Sequence, residues 1–331
     1  MHHKSQGNLD KHNKPIHHFD PLRASTALGA LEEFQEMGVF AGGAVGKAFS
    51  IYKKMLSEKT RVFFSLAGAM VPGGMRKTIV EAIKHRLVDV LITTGANITH
   101  DLIEAFGVPH IRDVSYSSDK ELYEKGIDRV YDAFVNTGGF ESLEEHIQPI
   151  IREFISKKRE GNSSPVITSS HEFLQYLGSR IKDPHSIVRV AHDYGVPIFV
   201  PVLADSVLGL QIWLNAQLGE LVLDEMRDLS AIQELFHNAE KAGAVMIGGG
   251  VPKNYTLQAS LMSPKQFLFG IQVTMDRVES GGLSGATLEE AISWGKFTAE
   301  APKIQVFSDA TIVLPILVSG LIQWKTKQQN Q

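Results

Sequence analysis

The chain has 331 residues, 43% of them hydrophobic and 21% charged, which suits one large globular domain or two small ones. A net charge of −4 weighs against a protein that grips phosphate backbones, so no nucleic-acid partner is expected. Without cysteine there is no disulfide framework, thiolate nucleophile or thiolate-bound metal, and a reducing, cytoplasmic setting fits.

Residues 1–19 are rich in histidine and lysine and lack the apolar core of a secretory signal, so they read as a disordered or extended tail. No HExxH-type spacing accompanies His2, His3, His12, His17 and His18, and His171-Glu172 lacks a second histidine, so no metal site is expected. Residues 20–58 read as helical. The first apolar, β-rich run, 62–66, precedes Ala67-Gly68-Ala69-Met70-Val71-Pro72, and the second, 88–93, precedes Thr94-Gly95-Ala96-Asn97. From about 113 to 186 charged helices over 120–134 and 143–158, and a polar loop over 157–165, read as a helical insertion within a single domain, 20–325. The rhythm then resumes. Run 197–203 precedes Ala204-Asp205-Ser206, run 244–247 precedes Gly248-Gly249-Gly250, run 267–274 precedes a loop to Gly285, and run 304–307 precedes Ser308-Asp309-Ala310. Residues 311–324 contain Pro315 and fall short of the ~20 residues that span a bilayer, which predicts a buried terminal helix, no membrane span and a tail over 326–331.

Near-continuous hydrophobicity in these six runs predicts an α/β fold: a doubly wound, mostly parallel sheet of six or more strands with helices on both faces. Ligands of such sheets bind at the carboxyl ends of the strands. Each glycine cluster alone reads as a tight turn, but six clusters of small residues at strand ends point to a Rossmann-like dinucleotide site. There Asp205 or Asp309 can accept hydrogen bonds from ribose hydroxyls. Neither a GxGxxG fingerprint nor a Walker motif is present: Gly42-Gly43-Ala44-Val45-Gly46-Lys47-Ala48 lacks the spacing and the Ser/Thr.

Chemistry concentrates in Glu289-Glu290-Ala291-Ile292-Ser293-Trp294-Gly295-Lys296. Thr287 and Glu290 form a capping-box pattern, which places Lys296 about two turns into a helix. A lysine forms a Schiff base only when unprotonated, so a pocket must lower its pKa from ~10.4. Trp294 would exclude water and offer a cation–π contact of roughly 0.5–2 kcal/mol. The alternative is a surface helix with a buried tryptophan and a solvated lysine.

The segment 290–296, with Gly248-Gly249-Gly250-Val251 and residues 88–94, resembles deoxyhypusine synthase and its bacterial and archaeal relatives, a family that includes homospermidine synthases. The similarity runs from about 20 to 323, and Phe307-Ser308-Asp309-Ala310 strengthens it. The loop from Thr274-Met275-Asp276-Arg277 through 281–287 resembles the bacterial-type, deoxyhypusine synthase-like branch. The resemblance implies an NAD-dependent transfer of an aminoalkyl, aminobutyl-type group from a polyamine or related amine. A carbon is oxidised by hydride transfer to NAD, captured as an imine on Lys296, passed to an acceptor amine and reduced again.

By matching positions, NAD contacts would fall on Gly68, Ala69, Met70, Val71, Pro72, Thr94, Gly95, Ala96, Asp205, Gly249, Thr274, Asp309 and Ala310. The family implies a homotetramer built from dimers, with active sites at the dimer interface. Where deoxyhypusine synthases hold the cationic donor with carboxylates and a histidine, this chain carries His100, Leu210, Leu283 and Asn254, while Glu290 and Trp294 remain. Donor recognition therefore reads as rebuilt, since a buried ammonium without its carboxylate is costly. His100 reads either as a proton shuttle or as a structural histidine, and Arg277 either as an anion fork or as a solvated charge. The acceptor stays open between free putrescine and a protein lysine, and a non-catalytic NAD-binding regulator is the reading from another class.

Overall fold

In the computed structural model, which describes residues 15–159, 161 and 165–329, the chain opens with helices α1 (Ala27–Met37) and α2 (Phe40–Ser57). Next come β1 (Arg61–Leu66), α3 (Arg76–Lys84), β2 (Val90–Thr93), α4 (Gly95–Ala105) and α5 (Asp119–Glu124). A hairpin of β3 (Ile127–Val130) and β4 (Ala133–Asn136) leads to α6 (Gly138–Arg159), β5 (Val166–Thr168), α7 (Ser170–Gly178) and α8 (Ile187–Tyr194). The chain continues through β6 (Ile198–Phe199), α9 (Val207–Gln217), β7 (Leu221–Leu223), α10 (Glu225–His237), β8 (Ala242–Ile247) and α11 (Gly250–Gln258). It closes with β9 (Phe269–Thr274), α12 (Glu290–Ser293), β10 (Lys303–Phe307) and α13 (Ala310–Gln329).

Six strands form one parallel sheet in the order β10-β9-β8-β1-β2-β6. From β1 the chain adds β2 and β6 on one side, then returns to build β8, β9 and β10 on the other. The crossover direction thus reverses between β1 and β8, and that reversal opens the crevice in which doubly wound sheets bind ligands. Successive residues of β1 serve opposite faces: Val62, Phe64 and Leu66 enter one core, and Phe63 enters a second that also holds Phe236 of α10 and Tyr255 of α11. Burial on both faces is why these strands read as continuous apolar runs.

Several boundaries differ from the sequence reading. The run 197–203 yields only Ile198–Phe199, because Pro197 and Pro201 bracket it and β6 is an edge strand. The helix expected over 120–134 stops at Gly126, whose φ of +65° ends α5, and the chain turns into the β3–β4 hairpin. The tail expected from 326 is still α13 as far as Gln329. Within the expected N-terminal tail, His17 bonds Glu33 at 2.9 Å and Phe19 packs on Phe34, so residues 15–19 lie against α1; residues 1–14 are outside the described part. Of the loop expected over 157–165, residues 160 and 162–164 are also outside it, and α6 occupies 157–159. Among the described residues no helix is long and apolar enough to cross a membrane.

Candidate active site

A crevice of about 490 Å³ lies across the carboxyl ends of all six strands of the parallel sheet. Ala67 and Gly68 follow β1, Thr94 and Gly95 follow β2, Asp205 stands beyond β6, Gly248 to Pro252 follow β8, Met275 and Asp276 follow β9, and Ser308 to Thr311 follow β10. Two glycines show why side chains are excluded. Gly68 has a φ of +83°, and a Cβ on Gly249 would sit 2.3 Å from Ser284 Cα. Thr94 caps α4 by accepting from Asn97 N at 3.3 Å, and Asp309 fixes the start of α13 by accepting from Thr311 N at 2.7 Å.

A second cavity, of about 280 Å³, holds Lys296 together with Asn254, Leu283, Glu290 and Trp294. Lys296 Nζ donates to Asn254 Oδ1 at 3.2 Å. Burial pushes its pKa below the usual lysine value, and the charge of Glu290 opposes that shift. The expected helix is shorter than its cap suggested. Glu290 N does donate to Thr287 Oγ1 at 3.0 Å, but α12 is a single turn that ends at Trp294, with Gly295 left-handed at φ +69°. Gly295 N bonds Ile292 O and Lys296 N bonds Ala291 O, a Schellman closure. Lys296 therefore follows the helix rather than sitting two turns inside it. Trp294 is 64% exposed in the single chain, so it does not shut water out unaided, and its ring centre lies 5.9 Å from Lys296 Nζ.

The two cavities share a wall. Helix α11 starts in the crevice with Gly250, Val251 and Pro252, and its next turn gives Lys253 and Asn254 to the second cavity. Lys253 is buried, and its Nζ donates to Gln272 Oε1, Leu283 O and Ala286 O at 2.9, 2.9 and 2.5 Å. Gln272, also buried, donates through Nε2 to Gly248 O and Ser284 O. Ser284 Oγ accepts from Gly250 N at 3.1 Å. The loop 283–286 is thus pinned from both sides and separates the crevice from Lys296. Burial pushes the Lys253 pKa down to about 8, with Lys296 adding to the fall and Glu290 opposing it, so Lys253 still carries its proton at neutral pH.

Of the positions expected around the cofactor, Gly68, Met70, Thr94, Gly95, Asp205, Gly249, Thr274, Asp309 and Ala310 line the crevice, whereas Ala69, Val71, Pro72 and Ala96 do not. Val71 is packed into the core instead. His100 lines neither cavity. It is half-buried and packs on His110 and Phe140, and His110 Nδ1 bonds Glu104 at 2.7 Å while His110 Nε2 bonds His100 Nδ1 at 2.8 Å. Glu104 accepts from the His110 Nδ1–H. Burial and the neighbouring His110 lower the His100 pKa to about 4, with Glu104 opposing. The sequence reading missed Lys253 and Gln272, and a glutamine inside an otherwise apolar strand, Phe269-Gly270-Ile271-Gln272-Val273-Thr274, was the available signal for the latter.

The deoxyhypusine synthase family model matches residues 30–321. Probable deoxyhypusine synthase 1 of Methanosarcina acetivorans is 44% identical over 283 residues, covering 85% of this chain and 86% of its own length. Probable deoxyhypusine synthase of Methanothermobacter thermautotrophicus is 38% identical over 308 residues, covering 93% and 97%. Among solved structures, a candidate deoxyhypusine synthase of Entamoeba histolytica shares the fold with a TM-score of 0.60 at 20% identity, covering 92% of this chain and 96% of that one.

Proposed function

The chain belongs to the deoxyhypusine synthase family of transferases, and from that premise we propose that it is an NAD-dependent aminoalkyl transferase whose covalent carrier is Lys296. The observation that carries this reading is the shared wall: a half-buried lysine is bonded to Asn254 of α11, whose preceding residues Gly250 to Pro252 line a strand-end crevice built for close backbone approach. The crevice fits a dinucleotide on its own terms. Gly249 leaves no room for a Cβ, small residues line the strand ends, and Asp205 and Asp309 offer acceptors to ribose hydroxyls.

Bound NAD supplies the acceptor for a hydride from the donor's amine-bearing carbon and the source of the hydride that reduces the product. Lys296 Nζ, as the free amine, attacks the carbon of the oxidised donor's C=N bond, and the donor's amine leaves with the proton. The alkyl group is then held as an imine on Lys296. An acceptor amine attacks the same carbon and releases Lys296. Asn254 Oδ1 orients Nζ, while burial lowers the Lys296 pKa and so favours the free amine.

Donor recognition in this reading departs from a carboxylate grip. Glu290 is the one acidic residue lining the cavity, and two lysines face it. A long dicationic donor is poorly served there, which favours a smaller or less charged amine, with putrescine or a protein lysine as the acceptor. We infer in addition a homotetramer with the site completed across a dimer interface. Trp294 at 64% exposure and the apolar stripe of Leu210, Trp213 and Leu214 on α9 with Leu218 just after it are the surfaces that support it.

The test is incubation with NAD and putrescine, spermidine, agmatine or homospermidine, followed by cyanoborohydride and intact-mass analysis. A mass increment on Lys296 that disappears in Lys296→Ala, with NAD binding kept, is the expected result. An adduct that survives in Lys296→Ala, or no adduct with any amine despite NAD binding, removes Lys296 as the carrier for these amines.

A further inference from the structure

A cavity of about 530 Å³ opens at the other end of the sheet, beside the first residues of β1 and the residues that precede β2 and β8. Its size suits a small-molecule site. Lys59, Arg61, Arg86, Lys241 and Lys325 line it, against Asp89 and Glu240, in a chain whose net charge is −4. Lys241 is paired with Glu58 at 2.7 Å; among the described residues the other four have no carboxylate within ion-pair distance. Arg61, Arg86 and Lys325 each donate to a main-chain carbonyl, of Leu235, Tyr194 and His85. Those bonds fix the side chains without neutralising them, and each guanidinium keeps further donors.

The backbone gives an independent sign. Helices α1, α4, α5, α8, α9 and α12 are each followed, at once or after one residue, by a glycine in the left-handed conformation: Gly38, Gly107, Gly126, Gly195, Gly219 and Gly295. At the ends of α2 and α3 the corresponding positions are Lys59, with φ +53°, and Arg86, with φ +54°. Glycine holds this position without steric cost and is the usual occupant. Helices α7, α10 and α11 end without a left-handed residue; among the described helix ends that have one, those of α2 and α3 carry a side chain there, and both put a cation into this cavity. Trp324 of α13 adds a flat apolar wall. Burial holds the Lys325 pKa below the usual lysine value, with the charge of Asp89 opposing that fall and the charge of Arg86 adding to it.

We propose that this cavity binds a small phosphorylated ligand carrying a flat ring, of the nucleoside diphosphate class, with its phosphates on Lys59, Arg61, Arg86 and Lys325 and its ring against Trp324. The probe is ADP, added to protein saturated with NAD so that the strand-end crevice is occupied. Lys59→Gly is the decisive variant: Lys59 makes no side-chain hydrogen bond among the described residues, and glycine suits its φ. The expected result is an unchanged or higher Tm with ADP binding weakened about tenfold, the worth of one charge-assisted bond. Trp324→Leu is expected to weaken ADP but not pyrophosphate. Absence of ADP binding, ADP binding unaffected by Lys59→Gly, or pyrophosphate binding as tightly as ADP would overturn the proposal. Lys59 lies at the opposite end of the sheet from the crevice, so the comparison reads the same whether or not the crevice takes NAD.

Discussion

Lys296 Nζ reaches Asn254 Oδ1 at 3.2 Å, and Asn254 follows directly on Lys253, whose own ammonium is buried in the wall behind it. A neutral amide therefore sits where a carboxylate would hold Lys296 protonated. Asn254→Asp places a negative charge at that distance and favours the ammonium, which raises the Lys296 pKa. The expected outcome is that the rate of cyanoborohydride trapping at Lys296, measured against pH, needs a pH about one unit or more higher to reach half its maximum. An unshifted profile would mean that Asn254 does not set the charge state of Lys296.

Lys253 ties Gln272, Leu283 and Ala286 together. Lys253→Met keeps the volume of the stem and leaves three oxygens short of a donor, so a stability loss of about 2 kcal/mol is expected, reduced by the desolvation that no longer has to be met. The pH dependence separates this role from simple packing. The Lys253 pKa is about 8 in the folded protein against 10.5 for the free side chain, so as pH falls from 10.5 to 8 the unfolded chain takes up the proton first and stability declines. Urea titrations across that window should show a shallower decline in the variant than in the wild type. Equal slopes would show that Lys253 titrates alike in both states.

Gly249→Ala tests the crevice. The added Cβ would meet Ser284 at a distance no packed atom tolerates, so the loop 283–286 must move away from α11. The pinned wall resists that movement through the Ser284 bond to Gly250 N and the Gln272 bond to Ser284 O. Calorimetry should show NAD affinity lowered by about tenfold or more. Unchanged affinity would place the cofactor away from this turn.

The parallel sheet was legible because its physics is local: a strand buried on both faces must be apolar throughout, and turns at strand ends must be small. That Lys296 sits in a cavity beside Trp294 was legible from their spacing, whereas its place after the helix was not read from the Thr287 cap. The end of its helix could have been read too, since Gly295 is the residue that takes the left-handed position after Trp294. Lys253 was not legible. In Gly250-Val251-Pro252-Lys253-Asn254 it resembles any exposed helical lysine, and its burial is imposed by Leu283 and Ala286, some thirty positions later in the chain. His100 carried a role only by matched position, and its bond to His110 depends on how the chain folds back after α4.

That histidine pair makes a stability prediction. His100 has a folded pKa of about 4 against 6.5 for the free side chain. Between those values the unfolded chain binds the proton and the folded chain does not, so stability is complete above about pH 6.5 and is lost as pH falls toward 4. His100→Gln should flatten this part of the pH–stability curve measured by urea unfolding, by an amount on the order of 2 kcal/mol. A curve with the same fall in the variant would assign the acid sensitivity to other groups.

The apolar stripe of α9 bears on assembly. Leu210, Trp213, Leu214 and Leu218 recur at helical spacing and are 54%, 53%, 41% and 73% exposed. A lone chain gains nothing by presenting such a face to water, whereas a second copy would bury it. Trp213→Glu puts a charge in the middle of that contact without touching the residues that line either cavity. Light scattering on the wild type should give a mass of two or four chains and, on Trp213→Glu, a smaller species with an undiminished Tm at low concentration. If the site is completed across this interface, trapping at Lys296 should fall with the mass and return as protein concentration rises. Normal trapping by an isolated single chain would show that the partner copy adds nothing to the chemistry.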